Sequence, residues 1–164
     1  MAFAAPSLKG RALRYLAQRE HSRAELERKL ARHAEDVPEA SAAEQIARAL
    51  DELQKAGLLS EARVAESVLA HGARFGSRRL RQTMQSKGLA PELVASTLEQ
   101  ARSTELERAR EVWRKRFGAA PADAAERAKQ MRFLAGRGFE GEVIRRVVPS
   151  IGADDDSEPE FELD

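Results

Sequence analysis

Residues Gly76 to Leu98 read G-S-R-R-L-R-Q-T-M-Q-S-K-G-L-A-P-E-L-V-A-S-T-L. This stretch predicts a helix, a tight turn and a second helix. Ser77 is placed to cap the first helix, Leu80 and Met84 fall four apart on one face, and Gly88 supplies the left-handed residue that ends it. Pro91 suits the first turn of the next helix, whose Leu93, Val94 and Leu98 make a second apolar stripe.

About fifty residues later the same grammar returns, with Leu134 for Met84, Gly138 for Gly88, Phe139 for Leu89, Ile144 for Val94 and Val148 for Leu98. A looser copy lies upstream: Ser22, Leu26 and Leu30 stand for the first helix, and Ile46, Leu50 and Leu53 for the second. The three copies predict an all-α fold, an elongated array of three tandem three-helix modules forming a helical repeat, because no single unit buries its apolar face alone. The expected modules are 8–58, 59–102 and 103–150, flanked by a disordered N-terminus at 1–7 and a disordered acidic tail at 151–164.

Composition fits slender helices better than a thick globule: of 164 residues, 42% are hydrophobic, only 5% aromatic and 34% charged. With no cysteine, a disulfide framework and a thiolate zinc site are both excluded. No apolar run approaches a membrane span and Met1 to Pro6 is too short for a secretory signal, so the expectation is a soluble cytoplasmic protein. The net charge of +1 conceals an asymmetry. Seven of the 27 acids lie in Gly152 to Asp164, leaving 28 bases against 20 acids, or +8, in the rest. Such a body attracts nucleic acid or an acidic protein, and an acidic tail competes for the same surface.

In chain order, a first helix is expected from Leu8 to Arg19 with Leu8, Ala12, Leu13 and Leu16 inward. Capping boxes at Ser22/Glu25 and Ser41/Glu44 open the next two, with Glu25 positioned to pair with Lys29. His33 to Ala40 reads as a loop. Gly57 closes the third helix, Leu58 and Leu59 pin the junction, and Ser60 starts a helix with Val64, Ala65, Val68 and Leu69 inside. Beyond Leu98, either Thr104 and Glu107 form another capping box or one long helix runs on from Pro91. Trp113 belongs to a core stripe with Leu106, Ala109 and Phe117. Asp123/Glu126 opens the next helix, a short helix spans Glu142 to Val148, and no strand is expected.

Gly136, Gly138 and Gly141 match the spacing of the dinucleotide fingerprint, but a helix rather than a strand precedes them, so they read as a helix corner. His21, His33 and His71 have no metal-ligand spacing and read as surface or loop residues. There is no serine elbow or histidine cluster to carry catalysis, so the reading is a non-enzyme without cofactor or metal. The cations are more informative. On the helix after Gly76, Arg78, Arg81, Gln82 and Gln85 fall opposite Leu80 and Met84; Arg74, Arg79 and Lys87 extend that field, and Ala70 to Leu89 contains no acid. Solvated faces usually mix signs, as Asp51 with Lys55 and Glu142 with Arg146 are spaced to do, which favours binding at the acid-free stretch. Lys129, Arg132 and Arg137 beside Phe133 form a second candidate, and Arg110, Arg114 and Lys115 a third, diluted by Glu111.

The run A-L-D-E-L-Q-K-A-G-L-L-S-E-A-R-V-A-E-S-V from Ala49 to Val68, followed by F-G-S-R-R-L-R-Q-T-M-Q-S-K-G-L from Phe75 to Leu89, resembles the RecX family of recombination regulators. The similarity spans about Leu8 to Val148 and rests on the order of glycine-leucine corner, alanine-valine helix, glycine-basic-leucine helix start and lysine-glycine corner. The resemblance implies an array of three three-helix modules that lodges in the groove of the RecA filament on DNA and restrains strand exchange, ATPase and co-protease activity. The expected state is a monomer, with the filament and, weakly and electrostatically, single- or double-stranded DNA as partners and no membrane. The chain departs from the pattern in its long first-module loop, its Gly118 to Pro121 insertion and its acidic tail. The alternative from the residues is a helix-turn-helix DNA-binding regulator reading the major groove with Ser77 to Gly88; a scaffold for another acidic partner is a third reading. The partner helix and dimer element that a major-groove reader needs are not evident.

Overall fold

The computed structural model describes residues 4–153. Residues 1–3 and 154–164 lie outside it, and with them most of the acidic tail and part of the N-terminal segment expected to be disordered. Eight α-helices follow in order: α1 Leu8–Gln18, α2 Arg23–Leu30, α3 Ala42–Lys55, α4 Glu61–His71, α5 Ser77–Ser86, α6 Pro91–Arg116, α7 Ala124–Gly136 and α8 Gly141–Val147. A 3-10 turn, Ala31–His33, extends α2. Among the described residues there is no strand; the loop before α3 closes on itself through paired Val37 and Ala40 backbone hydrogen bonds of 3.0 and 3.1 Å.

The helix starts follow local chemistry. Ser22 and Ser41 each accept the N–H of the residue three on and are answered by Glu25 and Glu44, so both expected capping boxes form. Ser7 caps α1 by accepting from Gly10 N–H, and Asp123 caps α7 by accepting from Glu126 N–H. The Thr104/Glu107 box does not form, since α6 runs unbroken from Pro91 to Arg116. Continuity places Ala101, Glu105, Ala109 and Trp113 on one buried stripe, four residues apart, that a break at Thr104 would disrupt. The Thr104 hydroxyl instead donates to Ala101 O and accepts from Arg108 Nε.

The described residues form two compact units, 4–71 with Arg81–Thr97, and Gly72–Leu80 with 98–153. In the first, Ala12, Leu26, Leu30, Ile46, Leu50, Leu53 and Leu59 make the core. Leu13 and Leu58, both expected inside, are 38% and 49% exposed, because Tyr15 and Leu16 take the inward positions of α1 and Leu59 alone fills the junction. His21 is buried rather than on the surface: its ring sits 5.7 Å from that of Tyr15, Nδ1 lies 3.0 Å from Arg19 O, and burial lowers its pKa below the ordinary 6.5. The second unit is built on Ala109, Trp113, Leu134, Phe139, Ile144, Val147 and Val148. There the Trp113 indole N–H donates to Gln130 Oε1 at 2.8 Å, and Gln130 Nε2 donates to Ala119 O, so both buried polar groups are satisfied.

Each unit contains the same joint. In the second, Gly138 has φ +85° and its corner lies against the start of α5: Gly76 N–H donates to Arg137 O at 3.0 Å and Arg78 N–H to Gly138 O at 3.1 Å. A methyl group on Gly76 would lie 2.3 Å from Phe139 Cα, so only glycine permits this backbone approach. In the first unit the Gly88 corner, φ +72°, meets the start of α2 with Ala24 beside it, and Ser22 Oγ donates to Lys87 O at 2.5 Å. The glycine corners read from sequence are therefore docking surfaces for the helix starts that carry Ser22 and Ser77.

Candidate partner-binding surface

Along α5, Leu80 and Met84 are buried while Arg78, Arg81, Gln82 and Gln85 are exposed, the division that 100° per residue requires. Among the described residues no ion pair engages Arg78 or Arg81. Lys87 is different: its ammonium lies 3.2 Å from Glu25 Oε1, and its side chain is only 22% exposed. Burial alone raises the Glu25 carboxyl, but hydrogen bonds from Arg19, the Ser22 N–H and Lys87 prevail and bring its pKa to about 2. Lys87 thus holds the first unit together more than it serves the surface. Glu25 takes Arg19 and Lys87 in place of the expected Lys29, whose ammonium sits 4.6 Å from the centroid of the Tyr15 ring. Asp51 likewise pairs with Arg23 at 2.7 Å rather than with Lys55.

The second unit brings together cations that sequence spacing had kept in separate patches. Arg74 and Arg79 lie over the Phe75 ring, each with its guanidinium carbon 5.3 Å from the centroid, and Arg137 joins them at 5.9 Å from the far side of the Gly138 corner. Arg137 also stands 5.1 Å from the Phe133 centroid, and Arg116 stands 5.7 Å from it and 5.6 Å from that of Phe117. Phe117 and Phe133 meet edge to face at 5.4 Å. Four guanidiniums and three rings therefore form one continuous cluster, in which the ring quadrupoles attract the cations. Among the described residues Arg74, Arg116 and Arg137 have no acidic partner.

The segment that carries Phe75 is anchored from α6. Glu105, 4% exposed, accepts the Ser77 N–H at 3.0 Å and the Ser77 hydroxyl at 2.6 Å. The half-buried Arg108 donates to the carbonyls of Phe75 and Ala101, and burial lowers its pKa in spite of Glu105 nearby. Both ends of the turn are thus fixed by one helix face. Sequence reasoning placed Arg74, Arg79 and Arg137 among the candidates but missed Phe75 and Arg116; the available signal was that each ring in R-F-G and R-F-G, at 74–76 and 116–118, directly follows an arginine.

The remaining candidates do not join this cluster through any ring contact. Lys129 and Arg132 are exposed on α7. Arg110 pairs with Glu107 at 3.4 Å, and Arg114 and Lys115 with Glu111 at 3.5 and 3.1 Å, so that strip is largely neutralised by its own helix. Among the described residues no group of three or more His, Asp or Glu is arranged to hold a metal, and no helix is long and apolar enough to cross a membrane. A groove of about 500 Å³ in the first unit is lined by Glu27, Ala31, Ala42, Ala43 and Ile46, and its one carboxylate is paired with Arg23. It brings no reacting groups together.

The chain is 56% identical over 143 residues, covering 87% of each sequence, to the "Regulatory protein RecX" of Leptothrix cholodnii. This chain belongs to the RecX family. A second relative of that name, from Ralstonia nicotianae, is 47% identical over 93% of this chain and 94% of its own length. The family model for the third three-helix domain of RecX matches residues 103–148. The crystal structure of RecX from Lactobacillus salivarius superposes with a TM-score of 0.69 over 85% of this chain and 91% of its own; at 19% identity it supports the all-α repeat fold alone. In this RecX-family chain the all-α fold and the family read from sequence are both borne out, and the relatives are named as regulatory proteins.

Proposed function

We propose that this protein is a non-enzymatic, monomeric, cytoplasmic regulator of homologous recombination and DNA repair that binds the groove of the RecA–DNA filament and lowers its recombinase, ATPase and co-protease activity. The observation that carries the reading is the 56% identity to a regulatory protein RecX across 87% of both chains. The surface chemistry supports it. A groove formed by acidic protein and DNA phosphate attracts cations that lack acidic partners of their own, and Arg78, Arg81, Arg74, Arg116 and Arg137 are such cations among the described residues. Direct DNA binding is the weaker, salt-sensitive part of the same attraction.

The test is inhibition of RecA ATPase on single-stranded DNA by Arg78→Glu/Arg81→Glu, with Met84→Asp as the folding control. Both arginines are exposed, so reversing them leaves the stability within about 0.5 kcal/mol of wild type, with little change in thermal midpoint, while binding falls several-fold or more. Met84 is fully buried, and its replacement by a carboxylate collapses the midpoint. Full inhibition by the double-Glu variant moves the contact away from α5. Equal affinity for bare DNA and for recombinase-coated DNA favours the DNA-binding regulator instead.

A further inference from the structure

We propose that the arginine–phenylalanine cluster of the second unit is a binding site for an acidic peptide, and that its resident occupant is the protein's own C-terminal segment, Asp154 to Asp164. The cluster holds Arg74, Arg79, Arg116 and Arg137 around Phe75, Phe117 and Phe133. Rings restrain the guanidiniums but supply no net negative charge, so the cations still repel one another. Among the described residues no ion pair relieves Arg74, Arg116 or Arg137. Planar, partly immobilised guanidiniums are well suited to carboxylates, which accept two parallel N–H bonds from each fork.

The segment supplies the matching charge. Asp154, Asp155, Asp156, Glu158, Glu160, Glu162 and Asp164 are seven acids with no base among them. Its point of departure is anchored in the same unit as the cluster: Gly152 N–H donates to Pro121 O at 3.1 Å and Arg127 Nε to Pro149 O at 3.3 Å. From Ala153 an extended chain of eleven residues reaches roughly 36–40 Å. A compact unit of about 65 residues has a radius of gyration of about 11 Å, so the cluster lies within reach. The cationic strip on α6 is a poorer destination, since Arg110, Arg114 and Lys115 already face Glu107 and Glu111. Bound there, the segment would have to leave before any other acidic partner used those arginines. The inference rests on this chain's own charges and stands whether or not the recombinase is the partner.

The absence of cysteine permits a direct test on the full-length protein. A nitroxide on Ser157→Cys should broaden the backbone amide resonances of residues 74–79 and 136–138, and the broadening should survive Arg110→Glu/Arg114→Glu, which reverses the strip on α6. The effect should disappear at about 1 M salt, where the screening length is about 3 Å. It should also disappear in Arg74→Glu/Arg116→Glu, which replaces two exposed cations and should melt as wild type does. No broadening at low salt, or its loss in Arg110→Glu/Arg114→Glu, would overturn the proposal, as would broadening that persists in Arg74→Glu/Arg116→Glu at an unchanged midpoint. Should that variant melt early, Arg74→Gln alone in an otherwise native cluster must reduce the broadening, and failure to do so also overturns it.

Discussion

Replacing Gly76 with alanine tests whether the joint at the Gly138 corner holds the second unit together. The new methyl would lie 2.3 Å from both Cα and N of Phe139 and 2.4 Å from the carbonyl carbon of Gly138, all of them backbone atoms that no rotamer change can move. Ordinary contact begins at 3.4 Å, so the two segments must part by about an ångström. That displacement takes the Gly76 N–H to Arg137 O and Arg78 N–H to Gly138 O bonds, now 3.0 and 3.1 Å, beyond useful geometry. Each buried group left unpaired costs about 1–3 kcal/mol, and overpacking adds about 1–3 kcal/mol. A loss of roughly 3–9 kcal/mol is a large share of the ~5–15 kcal/mol that stabilises a typical domain. With a urea dependence of about 2 kcal/mol per molar, the unfolding midpoint should fall by about 1.5 M or more. Gly136→Ala is the control: its methyl meets nothing within 4 Å and sits in α7, so it should cost nothing and gain up to about 1 kcal/mol. A Gly76→Ala midpoint within about 0.3 M of wild type would refute the argument that this approach is tight.

Glu25 has its folded pKa depressed from 4.5 to about 2, so its contribution is complete above pH 4.5 and is lost as pH falls through 2. The stability difference between wild type and Glu25→Gln, at most about 3 kcal/mol and reduced by the exposed Arg19 arm, should therefore shrink between about pH 5 and 2 in thermal melts. Gln130→Leu leaves the buried Trp113 indole N–H without its acceptor and should lower the melting temperature by about 3–9 °C. Truncation after Ala153 keeps the Gly152–Pro121 hydrogen bond and removes seven acids, so DNA affinity at low salt should rise; identical affinity and salt slope in both proteins would exclude a competing tail.

What was legible in the sequence was chiefly what is decided within one turn of chain. Ser22/Glu25, Ser41/Glu44, the Leu80 and Met84 face and the Gly88 and Gly138 corners are all signals of local spacing, and all are found. The long α6 was obscured because Glu105, a carboxylate, interrupts its apolar stripe; only the distant Ser77 explains why a charged group belongs there. Ion-pair choices failed for the same reason. Lys29 and Lys55 were the neighbours by spacing, but Lys87 and Arg23 arrive through the fold. The cluster around Phe75 is the strongest instance, since Arg116 and Arg137 reach Arg74 and Arg79 only through the joint.

The joint in the first unit also has a timetable. Ser22 at the start of α2 bonds to the carbonyl of Lys87, 65 residues later, and Glu25 waits for the same lysine. On a ribosome adding about 5–20 residues per second, roughly 3–13 s pass between the synthesis of the two partners. During that interval α2 has its own cap but not the corner that covers it, and the first unit lacks Arg81–Thr97. The nascent N-terminal half is therefore an incomplete bundle with an open apolar side, completed by residues from the middle of the chain. Pausing or truncation before about residue 97 should leave a species that chaperones hold and proteases cut, whereas chains released beyond it should close.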